Sequence, residues 1–218
     1  MPDDAPAERT TATYDQIAAR YYERWHDRSA IHQHLARFVD MMRAYGLSEL
    51  PVVDVGCGPG FDAAFLRQSG LRCIGLDLSL AMMKVGRPEF GGDYVLGDMR
   101  ALPLAIVGGL WVSASMLHVP RDQAPAVLRG FARVLAPGGL LYLSLKAGQG
   151  AEWTQESQGL PLSRYFVYWS PDQLDELLHA SGFSLVDGWL SPVDETTSWL
   201  IRFARKATAG SAVPLPLN

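Results

Sequence analysis

The stretch Asp54-Val55-Gly56-Cys57-Gly58-Pro59-Gly60 follows directly on the β-branched run Pro51-Val-Val-Asp-Val55. A short apolar run of this kind reads as a buried parallel strand. The glycines at 56, 58 and 60 then read as a turn that allows positive φ and lets a ligand approach the backbone. A turn of this type, opening a helix, aims backbone N–H groups at the carboxyl edge of a sheet.

Working outward, the chain alternates. Upstream, Thr13 through Trp25 carries Ile17, Tyr21 and Tyr22 at helical spacing, and a second helix presents Ile31, Leu35, Phe38, Val39 and Met42 before stopping at Gly46. Downstream, a helix over 61–68 leads to a strand over 72–76, and Ser79 can cap the next helix. Strands follow at 94–96 and 110–115, then a helix over 122–135 that ends in Pro137-Gly-Gly139, and a strand at 140–145. Ser170-Pro-Asp-Gln173 opens a helix in a capping-box pattern, and two late strands, 183–189 and 199–205, have no helix between them. The pattern predicts an α/β fold: a three-layer Rossmann-like sandwich on a mostly parallel seven-stranded sheet with an antiparallel C-terminal hairpin. One domain is expected over 13–206, with a helical cap at 13–46 and an insertion at 147–169 serving as lid or acceptor wall. Residues 1–12 and 207–218 read as flexible tails, because they carry small residues and Pro without apolar periodicity.

Composition narrows the function classes. The 218 residues are 48% hydrophobic and 19% charged, ordinary for a globular domain. A net charge of −4 argues against unaided nucleic-acid binding. The longest apolar stretch, 101–119, is broken by Pro103, Gly108 and Gly109 and reads as strand plus loops, so no membrane partner is expected. No secretory signal is visible, and the two cysteines, Cys57 and Cys73, lack metal-ligand spacing; both point to a cytoplasmic setting and no metal.

The glycine-rich turn alone does not separate a dinucleotide site from other cofactor sites. A dinucleotide motif starting at Gly56 needs a small residue at position 61, which is Phe61. Two further anchors supply the separation. Asp77, 23 residues beyond Asp54 at the end of the second strand, can accept two hydrogen bonds from ribose hydroxyls. Gly97-Asp98-Met99 follows the third strand, where Asp98 can accept from an adenine amino group and Met99 offers a backbone N–H; Leu78 and Met82 complete an apolar slot for the base.

With Leu117-His-Val119 and Leu135-Ala-Pro-Gly-Gly139, these motifs resemble, in order and spacing, the class I S-adenosylmethionine-dependent methyltransferases, most closely the small-molecule type 11/25 branch. The resemblance runs from about Thr13 to Lys206. It implies S-adenosylmethionine as cofactor and S-adenosylhomocysteine as product. Gly56, Gly58 and Gly60 would approach the methionine part, with Asp54 and Cys57 in the same binding loop; Asp77 would hold the ribose, and Asp98 with Met99 the adenine. The helix carrying Tyr14 and Tyr21 would fold over the cofactor, its tyrosines shielding the sulfonium.

Methyl transfer from a sulfonium asks the protein mainly to position the acceptor and, for a hydroxyl, to remove its proton. His118, after the fourth strand, is the candidate general base, or else a wall of the cofactor pocket. Ser113 and Ser115 read as cofactor or pocket contacts, since no base and orienting carboxylate stand beside them. Arg164, Tyr165 and Tyr168, in the segment after the fifth strand, are candidate acceptor contacts. The expected activity is methyl transfer to an oxygen or nitrogen of a small molecule. The alternatives are a nucleic-acid or protein methyltransferase, or a module that binds the cofactor without catalysis. Ser113-Ala-Ser-Met116 lacks the Asn/Asp-Pro-Pro-Tyr/Phe signature of adenine-amino methyltransferases, which weakens the nucleic-acid reading.

Overall fold

The structure is a computed structural model, and it describes residues 5–194 and 197–208. Two helices, α1 (Ala5–Trp25) and α2 (Ser29–Ala44), precede strand β1 (Val52–Val55). Helix α3 (Phe61–Gln68), strand β2 (Cys73–Asp77), helix α4 (Leu80–Phe90) and strand β3 (Asp93–Leu96) follow. Then come β4 (Val107–Ser113), α5 (Ala124–Val134), β5 (Leu135–Lys146), β6 (Ala151–Trp153) and β7 (Tyr165–Val167). Helix α6 (Pro171–Ala180) and strands β8 (Phe183–Pro192) and β9 (Ser198–Lys206) complete the described elements.

The main sheet has seven strands in the order β3-β2-β1-β4-β5-β9-β8. Strands β1 to β5 run parallel, and β9 runs antiparallel to both β5 and β8. Successive crossovers leave β1 toward β2 on one side and reach β4 and β5 on the other. That reversal opens a crevice at the carboxyl ends of β1 and β4, the place where open α/β sheets bind ligands.

The strands are continuous apolar runs because both sheet faces are covered. On one face Val53, Val55, Leu110 and Leu141 pack against Leu128 and Phe131 of α5 and Leu174 and Leu178 of α6. On the other, Val52, Trp111 and Tyr142 pack against Leu35, Phe38 and Met42 of α2 and Leu66 of α3. Helix α2 is therefore part of a sandwich layer. The helical cap expected over 13–46 reduces to α1, since a helix with that apolar stripe is drawn to the sheet and not to its edge. The capping box at Ser170 and the Ser79 cap both form, as their spacing predicts.

Helix α1 begins at Ala5, inside the stretch read as a tail. Its inward face there is polar and so left no apolar signal. Thr10 and Thr13 are buried, with Tyr165 N donating to Thr10 Oγ1 (3.1 Å) and Thr13 Oγ1 donating to Ser163 O (2.7 Å). The backbone of residues 163–165 thus satisfies side chains that a hydrophobic pattern cannot reveal. The 147–169 insertion holds the antiparallel β6–β7 pair, which rests against this helix, with Arg9 over the Trp153 ring.

Strand β5 starts at Leu135, five residues before the expected position. Pro137-Gly138-Gly139 is taken up as a register shift against β4, from Val107↔Leu135 to Gly109↔Leu140, and is not a loop. At the C-terminus Ala207 N donates to Gly182 O (2.9 Å), and the rest of the expected tail, 209–218, lies outside the described residues. Among the described residues no helix is long and apolar enough to cross a membrane.

Candidate active site

A cavity opens at the carboxyl ends of β1, β2, β3 and β4, with α1 as its roof. Its floor is Gly56 and Gly58, one wall is Leu76 to Leu78 with Met82, and another is Gly97 to Arg100. Ser113, Ala114 and Ser115 close the end of β4, and His118 to Pro120 continue the wall beyond it.

The floor is backbone because it has to be. Gly56 has φ +74°, and a Cβ there would lie 2.3 Å from Ser115 Cβ. Ser115 Oγ in turn donates to Val55 O (2.6 Å), which pins the ends of β1 and β4 together beneath the cavity.

Asp77 stands at the end of β2 with each carboxylate oxygen accepting one backbone N–H: Oδ2 from Gly58 N and Oδ1 from Ser79 N, both 2.8 Å. Burial pushes its carboxyl above the ordinary range, and the N–H bonds from Ser79 and Gly58 pull it back. The residue lines the cavity. Asp98 accepts from Arg100 N (2.8 Å) and Arg100 Nε (2.8 Å), so its carboxylate reaches the cavity already paired.

Asp54 and Gly60 lie behind the cavity lining. Asp54 is 2% exposed, and its Oδ2 accepts from Ala63 N (3.1 Å), holding the first turn of α3. Burial, then the charge of Asp62, raises its carboxyl well above the usual range. Asp62 is itself paired with both Nε and Nη2 of Arg28 (2.9 Å each) and accepts from Trp111 Nε1 (2.9 Å). The Cys57 thiol points away from the cavity toward Gly75, and Gly60 caps α3 with φ +91° beside Tyr94. The glycine-rich loop therefore divides into a face for a ligand and a face for packing.

At the far wall, His118 Nδ1 lies 2.6 Å from the Tyr165 carbonyl oxygen, and Nε2 lies 2.9 Å from the Tyr14 hydroxyl. A carbonyl only accepts, so Nδ1 carries the proton. Burial pushes the imidazole down to about 3, and the neighbouring cations Arg164 and Lys146 push the same way, against the Tyr165 carbonyl. A neutral His118 in the fold that would be protonated in the unfolded chain below its ordinary value of 6.5 makes stability fall as pH falls from 6.5 toward about 3. Replacing His118 by Phe is expected to flatten that part of the thermal-unfolding profile; an unchanged slope would contradict the assignment.

Residues 52–139 match the family model described as a methyltransferase domain. The malonyl-[acyl-carrier protein] O-methyltransferase of Pectobacterium atrosepticum is 35% identical over 127 residues, 57% of this chain and 49% of that protein. The methyltransferase GfsG of Streptomyces halstedii is 38% identical over 104 residues, 43% of this chain and 36% of that one. The chain spans about half or less of the length of the curated relatives it matches. The matched stretch, residues 52–139, is a methyltransferase domain. The fold agrees: the crystal structure of 1,6-didemethyltoxoflavin-N1-methyltransferase from Burkholderia thailandensis superposes with a TM-score of 0.70, covering 95% of this chain and 92% of that one. At 22% identity that likeness speaks for the fold alone.

In this methyltransferase domain the structure brings most of the sequence-derived cofactor residues to one cavity: Gly56, Gly58, Asp77 and Leu78 with Met82, Asp98 and Met99, then Ser113 and Ser115, under Tyr14 and Tyr21. Asp54, Cys57 and Gly60 stay outside the lining, for the packing reasons given above. The acceptor-side expectation shifts more. Arg164, Tyr165 and Tyr168 do not line the cavity. The β6–β7 pair packs behind His118, because α1 already covers the sheet edge. Tyr168 donates to Glu152 Oε1 (2.6 Å) on the exposed side, and Tyr165 contributes its carbonyl, not its ring.

Ala7, Thr10 and Thr11 line the cavity unforeseen, because they lie in the stretch read as a tail. Arg100 was also missed; a basic residue one turn past an Asp has no motif of its own. Among the described residues no group of three or more His, Cys, Asp or Glu is placed to hold a metal ion.

Proposed function

We propose that this domain binds S-adenosylmethionine in the cavity and transfers its methyl group to an oxygen or nitrogen of a small molecule by in-line displacement. The observation that carries the reading is the cavity at the sheet's crossover reversal, with the Asp77 carboxylate at the end of β2 in its lining and held there by backbone N–H groups of Gly58 and Ser79. S-adenosylmethionine supplies, when bound, a methyl group made electrophilic by its sulfonium.

The chain's own residues bind and orient. Asp77 holds the ribose hydroxyls, Met99 and Leu78 with Met82 flank the adenine, and Asp98 accepts from its amino group. Gly56 and Gly58, both at positive φ, bring backbone against the methionine part, and a side chain on Gly56 would run into Ser115. Helix α1 excludes water, which keeps the displacement from being diluted by hydration. The acceptor takes the remaining wall, Thr10 and Thr11 of α1 facing Val119 and Pro120, a mixed surface suited to a small planar or aliphatic molecule. Catalysis here is positioning: a site with good in-line geometry saves translational and rotational entropy without acid–base help.

Incubation with S-adenosylmethionine carrying a labelled methyl group and a deproteinised metabolite extract is expected to move label into a small-molecule fraction and to release S-adenosylhomocysteine. Tight cofactor binding with no transfer to any metabolite, or label appearing only in added RNA or protein, would contradict it.

A further inference from the structure

Strand β8 is an outer strand of the main sheet, with β9 on one side and no strand on the other among the described residues. At ten residues it is long for an edge. Edges of that length are normally covered or blunted, because a free row of N–H and C=O groups invites pairing. Four of the nine exposed large hydrophobic side chains among the described residues, Leu185, Val186, Leu190 and Val193, fall on this strand or directly after it. Leu185, Val186 and Leu190 line a groove between β8 and α6, together with Trp189. The charges of the groove are already paired: Arg202 Nε and Nη2 donate to Asp175 at 2.5 and 3.1 Å, and Asp187 pairs with Arg37. The groove therefore suits an uncharged, apolar occupant, and an extended one would also pair with the strand edge.

The chain carries a segment of this chemistry. Ala207 N donates to Gly182 O (2.9 Å), so the last described residue, Thr208, leaves the fold beside Phe183, where β8 begins. The residues that follow read Ala209-Gly-Ser-Ala-Val-Pro-Leu-Pro-Leu-Asn218 and include no charged side chain. Crossing the end of one strand takes about 5 Å, within reach of residues 209–211. Val213, Leu215 and Leu217 then alternate with Pro214 and Pro216. In an extended segment alternate residues turn their side chains to one face and their N–H and C=O groups to one edge. Setting Val213, Leu215 and Leu217 against β8 keeps every N–H that the pairing needs. Both prolines then fall on the outer edge, where a missing N–H is harmless and stops a further strand from joining. At about 3.3 Å per residue, residues 212–218 match the stretch of β8 from Phe183 to Leu190.

We propose that residues 209–218 fold back along the free edge of β8, parallel to it, and seat Val213, Leu215 and Leu217 in the groove beside α6, sealing the sheet against a second copy of the chain. The inference is independent of the cofactor reading, since the groove and the cavity share no lining residue. It gives the Pro-alternating segment a physical task that an exposed apolar edge strand requires.

Hydrogen–deuterium exchange of β8 tests it in three proteins: the full chain, a chain lacking residues 209–218, and Leu215→Asp, which keeps the length but puts a charge into the groove. Amides of residues 184–190 that do not bond to β9 are expected to exchange at least about tenfold more slowly in the full chain than in either variant. Pro214→Ala, on the outer edge, should keep the protection. A synthetic peptide of residues 209–218 added to the shortened chain should restore it. By analytical ultracentrifugation the shortened chain should self-associate at concentrations where the full chain is monomeric. Equal exchange in the full and shortened chains overturns the inference. Protection that rises with the concentration of the full chain also overturns it, because a second copy then covers the edge. Independently of any variant's folding, Overhauser contacts between the methyl groups of Leu215 or Leu217 and those of Leu185 or Leu190 are expected in the full chain, and their absence overturns the docking.

Discussion

Asp77→Ala is expected to weaken binding of S-adenosylhomocysteine by at least about 100-fold, because two hydrogen bonds to a charged carboxylate, at about 1.5–3 kcal/mol each, are lost together. The same change also strips Gly58 N and Ser79 N of their partner, so the glycine-rich loop and the first turn of α4 lose a shared anchor. Asp77→Asn separates the two contributions. It keeps the shape and one acceptor oxygen, but its amide nitrogen must face either Gly58 N–H or Ser79 N–H, so it should fall between wild type and Ala. Titration calorimetry with S-adenosylhomocysteine, alongside a thermal melt without ligand, makes the comparison. Binding by Asp77→Ala within about threefold of wild type would mean that the ribose is held elsewhere, a difference well under 1 kcal/mol.

The fold was readable because its signals are local and apolar. β1 to β5 are buried runs punctuated by glycine, and the α2 stripe of Leu35, Phe38 and Met42 announces a helix without saying which layer it joins. The glycine and Asp77 side of the cavity was readable for a different reason: a backbone floor permits only glycine, and an acid at a strand end has few bland explanations. The α1 side of the cavity was not readable. It is built by the first turns of α1, whose inward face is Thr10 and Thr13 bonded to the backbone of a segment about 150 positions away. Nothing in a periodicity count sees such a pairing. For the same reason the sequence offered His118 as a base: its place after β4 is visible, but its partners Tyr14 and Tyr165 meet it only in three dimensions.

The second large effect is one of stability, at the joint between α1 and α2. Arg28 pairs in bidentate fashion with Asp62, whose side chain is 7% exposed while that of Arg28 is 22% exposed. Asp62 also accepts from Trp111 Nε1, and the buried Asp54 carboxyl lies close enough to be raised by its charge. Removing one partner of a buried pair leaves an uncompensated charge and typically costs about 3–5 kcal/mol, whereas removing both can be nearly neutral. Arg28→Met should therefore destabilise by about that amount, because the stranded carboxylate is the deeper of the two. Asp62→Asn should cost less, since Arg28 can turn its guanidinium toward water and the Asn oxygen still accepts from Trp111. The decisive comparison is the double variant. Asp62→Asn introduced into Arg28→Met should stabilise the protein, reversing its sign relative to wild type, because it removes the stranded charge. Urea melts of the four proteins measure the coupling. If the two substitutions simply add, the pair is a packing contact and not a buried ion pair. The same melts repeated with S-adenosylhomocysteine carry the argument to function: Arg28 ties the α1–α2 joint to the first turn of α3, so loosening it should weaken the ligand's stabilising effect as the roof over the cavity gains freedom.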